Sequence, residues 1–98
     1  MRQVMVRYKV KPERVEENEA LVRAVYDELE EAEADGIRYA TFRLDDGVSF
    51  VHVALHSDDG DSPLPQLGAF RRFLAGITDR CDEPPAVSHL HAIGAYRL

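Results

Sequence analysis

The chain has 98 residues, of which 45% are hydrophobic and 31% are charged. Independently folding units mostly run from about 50 to 250 residues, so we expect one domain over residues 1–98, and this composition excludes a disordered chain. No apolar stretch approaches the roughly 20 residues of a membrane span, and the N-terminus has no secretory pattern, so a cytoplasmic protein without a membrane partner is expected. A single cysteine, Cys81, excludes an internal disulfide.

The net charge of −6 is unevenly distributed along the chain. Residues 13–35 contain ten acidic and two basic side chains, a charge of −8, whereas the rest of the chain carries +2. Such a block is typical of a solvated helix face, and it repels phosphate backbones and anionic lipids. Nucleic acid is therefore not an expected partner.

The first third of the sequence predicts a strand followed by a helix. Residues 3–10 alternate in the period-two pattern of a strand. Pro12 and the acidic residues after it are typical of a helix start, and the apolar spacing predicts a helix over residues 13–35 that Gly36 ends. The apolar residues of this helix are Val15, Val22, Val25, Leu29 and Ala32.

The middle of the sequence predicts a hairpin. Residues 37–44 and 48–56 both alternate, and the turn between them contains Gly47. In residues 48–56 both alternating sets are largely apolar, so this strand has apolar side chains on both faces. The strand is therefore expected to be covered on both sides.

The last third predicts a polar loop, a helix and a strand. Residues 57–63 are rich in residues that break regular structure, and apolar residues at helical spacing predict a helix over 67–77. Pro84 and Pro85 stop any helix, and alternation predicts a strand over 87–96.

The order strand, helix, strand, strand, helix, strand predicts an α+β, ferredoxin-like fold, with a four-stranded antiparallel sheet and two helices on one face. Two helices cover one side of such a sheet, but the other side is also apolar. A second copy of the chain is the expected cover, because two-fold homodimers are the commonest oligomers. We therefore expect a homodimer.

Three segments resemble the dimeric α/β-barrel superfamily, in particular its antibiotic-biosynthesis-monooxygenase-like branch. They are residues 11–13 (Lys-Pro-Glu), 35–39 (Asp-Gly-Ile-Arg-Tyr) and 50–53 (Phe-Val-His-Val) in a layout that covers nearly the whole chain. The resemblance implies a dimer with a pocket between each sheet and its own helices. The superfamily includes cofactor-free oxygenases of phenolic compounds, haem-degrading enzymes and isomerases, so it specifies the fold more than the activity. The chain lacks tryptophan and helical histidine, which distinguishes it from the haem-degrading members.

A cofactor-free oxygenase requires a base, a cation or hydrogen-bond donor for the developing charge, and a dry aromatic cavity. We predict His52 as the catalytic base, with Arg7, Arg38 or Arg43 as the cation and Asn18 as a substrate hydrogen-bonding group. The predicted substrate-binding residues are Asn18, Arg38, Tyr39, Phe50 and Phe70, and the aromatic lining also includes Tyr8, Phe42 and Phe73. Core packing is the competing interpretation of each aromatic residue.

No metal or cofactor is expected. His52 and His56 share a strand face but lie about 13 Å apart at about 3.3 Å per residue, too far to bind one metal ion. His89 and His91 would project to one side of the predicted last strand, but two ligands need a third.

The expected function is that of a cofactor-independent monooxygenase acting on a small phenolic or quinol-like substrate. The alternative is a non-catalytic ligand-binding or accessory barrel with a collapsed core, and a cavity of a few hundred Å³ distinguishes the two. RNA-binding domains of the RRM class share the topology, but residues 46–53 lack the basic residue and two of the three aromatic residues of their signature.

Overall fold

The computed structural model describes residues 2–56 and 62–97. Its strands are β1 (Arg2–Val10), β2 (Ile37–Arg43), β3 (Ser49–His56) and β4 (Cys81–His89). Its α-helices are α1 (Val15–Ala32), α2 (Gly68–Leu74) and α3 (Ile77–Arg80), and short 3-10 turns cover Pro12–Arg14 and Leu64–Gln66. No helix in these two ranges is both long enough and apolar enough to span a membrane.

The four strands form one antiparallel sheet in the order β2-β3-β1-β4. Tyr8 of β1 lies opposite Phe50 of β3, and Val6 lies opposite His52. Cross-strand partners share a face of the sheet, so this register brings every second residue of β1 and β3 to the same side. The predicted ferredoxin-like arrangement of sheet and helices is confirmed.

The hydrophobic core lies between the helices and the face of the sheet that carries Tyr8 and Phe50. Val22 and Val25 of α1 and Phe73 of α2 are buried in the same cluster. Val22 and Val25 lie three residues apart on one side of α1, and Phe73 belongs to the apolar stripe of α2. This helix-covered face is where a pocket can form.

The opposite face of the sheet, here called the open face, also carries apolar side chains. Val53 lies opposite both Met5 and Ala40, and Val51 lies opposite Phe42, which is 58% exposed. Leu55 extends the same row on β3. The period of two in β3 therefore places apolar residues on both faces, as the sequence predicts.

Helix α1 ends three residues before the predicted boundary. Its last residue is Ala32, and Glu33 then adopts a left-handed conformation with φ 49°. The N–H of Glu33 donates to the carbonyl of Glu30, and that of Ala34 donates to the carbonyl of Leu29. A left-handed residue directly after the helix closes it with these bonds, so Gly36 lies in the turn before β2 instead.

The second helical region is broken where one helix over 67–77 is predicted. Helix α2 ends at Leu74, and Gly76 with φ 75° separates it from α3. Glycine adopts this left-handed backbone without the steric penalty of a Cβ atom. The break turns the chain so that Arg80, at the end of α3, points back toward the end of α2.

The prediction of a last strand over residues 87–96 is wrong. Strand β4 begins at Cys81 and ends at His89, so it contains both prolines, and His91 lies outside it. His89 and His91 therefore do not project from one face of a strand, as a strand over 87–96 would imply.

Two features of the sheet explain how β4 accommodates Pro84 and Pro85. The strand is at the edge of the sheet, where a missing N–H breaks no ladder on the outer side. Its pairing with β1 also shifts register between Arg7 and Lys9, directly opposite the prolines. Proline is tolerated at such irregular edge positions, so the diproline does not mark the boundary that the sequence pattern indicates.

The left-handed residue at the end of α1 gives a test of this helix boundary. We expect Glu33→Gly to raise the free energy of unfolding by about 0.5–1 kcal/mol, because glycine relieves the left-handed strain. The same substitution within the helix, Glu31→Gly, should lower it by about 1 kcal/mol. Urea unfolding measures both values, and equal losses for the two variants would contradict the observed end of the helix.

Candidate functional site

A cavity of about 230 Å³ lies between the helix-covered face of the sheet and the α2 region. Its walls are almost entirely apolar or aromatic. The sheet contributes Val4, Val6, Tyr8, Tyr39, His52, Ala54, His56 and Pro85. The other wall consists of Ser62, Leu64, Phe70, Phe73, Leu74 and Ile77. The cavity has the chemistry of a small-molecule site, in which few polar groups lie among apolar ones.

The imidazole of His52 forms the polar centre of the cavity wall, and it is 5% exposed. The hydroxyl of Tyr8 lies 2.7 Å from its Nε2 atom, and the hydroxyl of Tyr39 lies 2.5 Å from its Nδ1 atom. The hydroxyl of Thr41 lies 3.2 Å from Nδ1 as well. Both ring nitrogens of His52 therefore already have protein partners.

Burial determines the charge states of this group. Desolvation lowers the pKa of His52 to about 4, so the ring is uncharged at neutral pH. Desolvation also raises the pKa of Tyr8 and of Tyr39 above its usual value, so both remain neutral hydroxyls. A neutral imidazole has one donor and one acceptor nitrogen, and its two tyrosine partners must therefore play opposite roles.

The hydrogen bonds continue from Tyr8 into the core. The Nδ2 atom of Asn18 donates to the Tyr8 hydroxyl over 3.0 Å, and the Nε atom of Arg80 donates to Oδ1 of Asn18 over 3.3 Å. Asn18 is fully buried, and Arg80 is 1% exposed. A row of polar groups thus runs from Arg80 through Asn18 and Tyr8 to His52 and Tyr39, and we call it the polar row.

The end of helix α2 holds the buried guanidinium of Arg80. Its Nη1 atom donates to the carbonyl of Ala75 over 3.1 Å, and its Nη2 atom donates to the carbonyl of Phe73 over 2.6 Å. The guanidinium carbon also lies 5.4 Å from the centre of the Phe73 ring. Carbonyls at a helix C-terminus carry partial negative charge, so they stabilise this buried cation. The same Phe73 forms part of the cavity wall.

Aromatic rings fix the positions of the two tyrosines. Tyr8 stacks on Phe50 with ring centres 5.5 Å apart, and Tyr39 stacks on Tyr26 at 5.3 Å. The Tyr26 hydroxyl lies 2.8 Å from the Thr41 hydroxyl. Stacked rings in a core restrict rotation of the side chains, so both phenol groups are held against the imidazole.

The structure brings together five predicted residues in the cavity wall: the site residues His52, Tyr39 and Phe70, and Tyr8 and Phe73 of the predicted lining. Asn18 and Phe50 lie behind that wall, where Asn18 bonds to the Tyr8 hydroxyl and Phe50 stacks on the Tyr8 ring. Their contribution to the cavity is therefore indirect.

The structure separates Arg38 from the other predicted site residues. Arg38 is exposed and lies opposite Leu55 on the open face. Neighbouring residues of a strand point to opposite faces, so Arg38 and Tyr39 do not meet in one cavity. Arg7 and Arg43 are exposed too, so none of the three predicted cations is buried beside the cavity.

The sequence analysis missed the buried cation, Arg80. It follows Ile77 by three residues and Phe73 by seven, so continuing the apolar stripe of the second helical region would have placed it on the buried side. Because the predicted helix ended at residue 77, the apolar stripe was not continued to Arg80. Thr41 was also missed, although it shares the alternating set of Tyr39 on β2.

Comparison with solved structures finds the same fold in several proteins, two of which are described as oxygenases. The chain matches a structure described as an antibiotic biosynthesis monooxygenase with a TM-score of 0.75 and 18% identity, over 96% of this chain and 100% of that one. Rv0793 from Mycobacterium tuberculosis matches with a TM-score of 0.73 and 20% identity, over 96% of both chains. A mutant of SnoaB, a cofactor-independent oxygenase from Streptomyces nogalater, matches with a TM-score of 0.63 and 16% identity, over 99% of this chain and 97% of that one.

These matches confirm the predicted ferredoxin-like fold, which the chain shares with structures described as antibiotic biosynthesis monooxygenases. No protein-family model matches the chain, and no curated protein matches it. At these identities the shared architecture carries no residue assignments.

The buried imidazole predicts a pH dependence of stability. The unfolded chain protonates His52 near pH 6.5, but the folded chain does so only near pH 4. The unfolded state therefore binds more protons in this window, and His52 alone should lower the free energy of unfolding by about 3 kcal/mol as the pH drops from 7 to 4.

The variant His52→Gln should lack this part of the pH dependence. Urea unfolding between pH 7 and pH 4 measures it as the difference between the two proteins, in which the titration of the other groups cancels. Parallel curves for the two proteins would contradict the buried, uncharged state of His52.

Proposed function

We propose that the chain is a homodimeric, cofactor-independent monooxygenase that acts on a small phenolic or quinol-like molecule. The observation that carries the proposal is the apolar cavity, in whose wall the Tyr39 hydroxyl is held by the buried, uncharged His52. The fold similarity to a protein described as a cofactor-independent oxygenase supports the same chemistry.

The size of the cavity limits the substrate. Its volume of about 230 Å³ lies between the roughly 150 Å³ of an apolar cavity that binds benzene and the roughly 300–1,000 Å³ of sites for drug-sized ligands. A substituted single ring or a compact pair of fused rings fits this range. The aromatic wall from Phe70 and Phe73 suits the flat faces of such a molecule.

The proposed reaction converts a phenol into a quinone. The substrate loses its hydroxyl hydrogen and one ring hydrogen, and the ring carbon gains one oxygen atom from dioxygen. The second oxygen atom leaves as water with the two hydrogens, so the substrate supplies all four electrons and no other reductant is required. The phenolate form of the substrate is the electron-rich species that reacts. The substrate gives its hydroxyl proton to solvent before it binds, since both nitrogens of His52 already have partners, and the apolar cavity then keeps water from competing.

His52 acts in this proposal through Tyr39. A base that takes a proton directly from the substrate needs a nitrogen that faces the substrate, but Nε2 and Nδ1 bind the hydroxyls of Tyr8 and Tyr39. His52 is therefore a positioning residue that fixes the Tyr39 hydroxyl, and Tyr39 is the group that contacts the substrate oxygen. The cavity also favours this proposal over an accessory barrel, which predicts a core without room for a ligand.

The open face supports the homodimer. It exposes a row of apolar side chains centred on Val53, including Phe42 at 58% exposure. Burial of apolar area contributes about 25 cal/mol per Å², so a second copy on this face would stabilise both chains. The acidic helix α1 lies on the other side of the sheet, and two chains joined through their open faces keep these helices apart.

A charge placed at the centre of the open face tests the dimer. Light scattering of the wild type should give twice the chain mass of 11.1 kDa. Val53→Glu should give the single-chain mass, because burying a charged carboxylate in a largely apolar interface is strongly unfavourable. Ala20→Glu adds the same charge on the exposed side of α1 and should remain dimeric. A single-chain mass for the wild type would refute the proposed dimer.

Dioxygen consumption tests the activity. With a panel of naphthols and hydroquinones, the wild type should consume dioxygen without added metal or cofactor. Tyr39→Phe should lower the rate by roughly 10²–10³-fold, the effect of removing one preorganised donor at a developing charge. Tyr96→Phe, at an 82% exposed position, is the matched control and should leave the rate unchanged.

Two results would count against the activity. One is the absence of dioxygen consumption over the whole panel by a folded protein with an open cavity. The other is an unaltered rate in Tyr39→Phe, which would mean that the hydroxyl does not contact the reacting substrate.

A further inference from the structure

The polar row has a direction that begins at Arg80. A guanidinium only donates hydrogen bonds, so its Nε–H must donate to the oxygen of Asn18. This fixes the orientation of the amide, whose Nδ2 atom then donates to the Tyr8 hydroxyl. Because Asn18 and Arg80 are both buried, water does not offer either group an alternative partner.

The direction continues through Tyr8 to the imidazole. The Tyr8 hydroxyl accepts from Asn18, and its own proton needs an acceptor. The Nε2 atom of His52, 2.7 Å away, is that acceptor. With Nε2 unprotonated, the neutral ring carries its proton on Nδ1, which donates to the Tyr39 hydroxyl and, over a longer distance, to Thr41.

The count of protons around the buried Tyr8 disfavours the reverse direction. A proton on Nε2 would point at the Tyr8 hydroxyl, at which Nδ2 of Asn18 already donates. The hydroxyl proton would then have no acceptor within the polar row, although Tyr8 is 2% exposed. A buried polar group without its partner loses the hydrogen bond that water would have given it, so the tautomer that satisfies every group of the polar row is favoured.

We propose that Tyr39 is the terminal donor of the polar row, so that the cavity selects a ligand by an acceptor oxygen, either a carbonyl or a phenolate. The Tyr39 oxygen accepts from His52, so its proton points to a group other than the imidazole, and a ligand in the cavity competes for it with the hydroxyl of Thr41. Tyr39 belongs to the cavity wall, so a ligand oxygen in the cavity can take that hydrogen bond. A hydroxyl oxygen can also accept from Tyr39, but its own proton then needs a second acceptor, so a carbonyl or phenolate oxygen is the better match.

This inference deepens the proposed function and rests on the same cavity. A donor at the substrate oxygen stabilises the phenolate before oxygenation and the carbonyl of the quinone after it. Arg80 and Asn18 are then positioning residues: they touch no substrate, but they set the direction in which Tyr39 donates.

The tautomer of His52 is the first measurement. Nitrogen-15 NMR of the imidazole distinguishes a proton on Nδ1 from one on Nε2, and we expect Nδ1–H in the wild type. Asn18→Asp, nearly the same shape, should reverse it. A carboxylate accepts from both Arg80 and Tyr8, so Tyr8 then accepts from Nε2–H of His52, and Nδ1 accepts from Tyr39.

Ligand selectivity is the second measurement, with 1-tetralone as a ketone acceptor and 1-naphthol as a hydroxyl ligand of the same ring size. Calorimetry should give tighter binding of 1-tetralone to the wild type. Asn18→Asp should shift the ratio of the two dissociation constants by about tenfold toward 1-naphthol, the value of one hydrogen bond. Tyr39→Phe should abolish the preference and leave Nδ1–H in place.

The inference is overturned by Nε2–H in the wild type, by binding of neither ligand, or by a ratio that Asn18→Asp leaves unchanged in a folded protein. If that variant does not fold, the wild-type tautomer and the Tyr39→Phe ratio still decide the question. Neither measurement uses turnover. A protein with Nδ1–H that prefers 1-tetralone but consumes no dioxygen would refute the proposed oxygenase and support this inference.

Discussion

The imidazole of His52, buried between the hydroxyls of Tyr8 and Tyr39, is the interaction on which the rest of the structure depends. Polar groups can be buried only when each has a hydrogen-bond partner, and here the partners of this β3 residue come from both neighbouring strands, β1 and β2. The polar row extends this requirement to α1 through Asn18 and to α3 through Arg80. A shift of any of these elements would leave a buried group unpaired. The network therefore fixes how the helices pack on the sheet. Because the cavity lies between them, the network also fixes its position.

The backbone break at Gly76 has its physical explanation in the same network. It ends α2 early, so that the carbonyls of Phe73 and Ala75 are available to accept from the guanidinium of Arg80. A buried cation needs such acceptors, because its desolvation is otherwise far more costly than a hydrogen bond returns. A continuous helix would use these carbonyls internally, and Arg80 would have no place in the core. The break at Gly76 thus allows the positive charge of Arg80 to be buried beside the candidate site.

Alternation and helical spacing were sufficient to predict β1, β2, β3, α1 and the ferredoxin-like order, because each of these elements has one buried face that repeats regularly. Strand β4 was misplaced because its prolines lie at an irregular edge, and propensity does not report whether a strand is at an edge. The site was predicted in part. Tyr39 and His52 share a face because of the register of β2 and β3. Arg38 is the neighbour of Tyr39 on β2, so it lies on the opposite face of the sheet. Arg80 was missed because its burial depends on the turn at Gly76, which helical periodicity does not describe.

The most direct test of this account is a double-mutant cycle on the two tyrosines that bind His52. The free energy of unfolding is measured by urea denaturation for the wild type, Tyr8→Phe, Tyr39→Phe and the double variant. The account predicts a coupling of about 0.5–1 kcal/mol, because the two hydroxyls bind opposite nitrogens of one ring and each fixes the proton that the other meets. Effects that add within about 0.3 kcal/mol would show that the hydroxyls act independently, and would contradict the account.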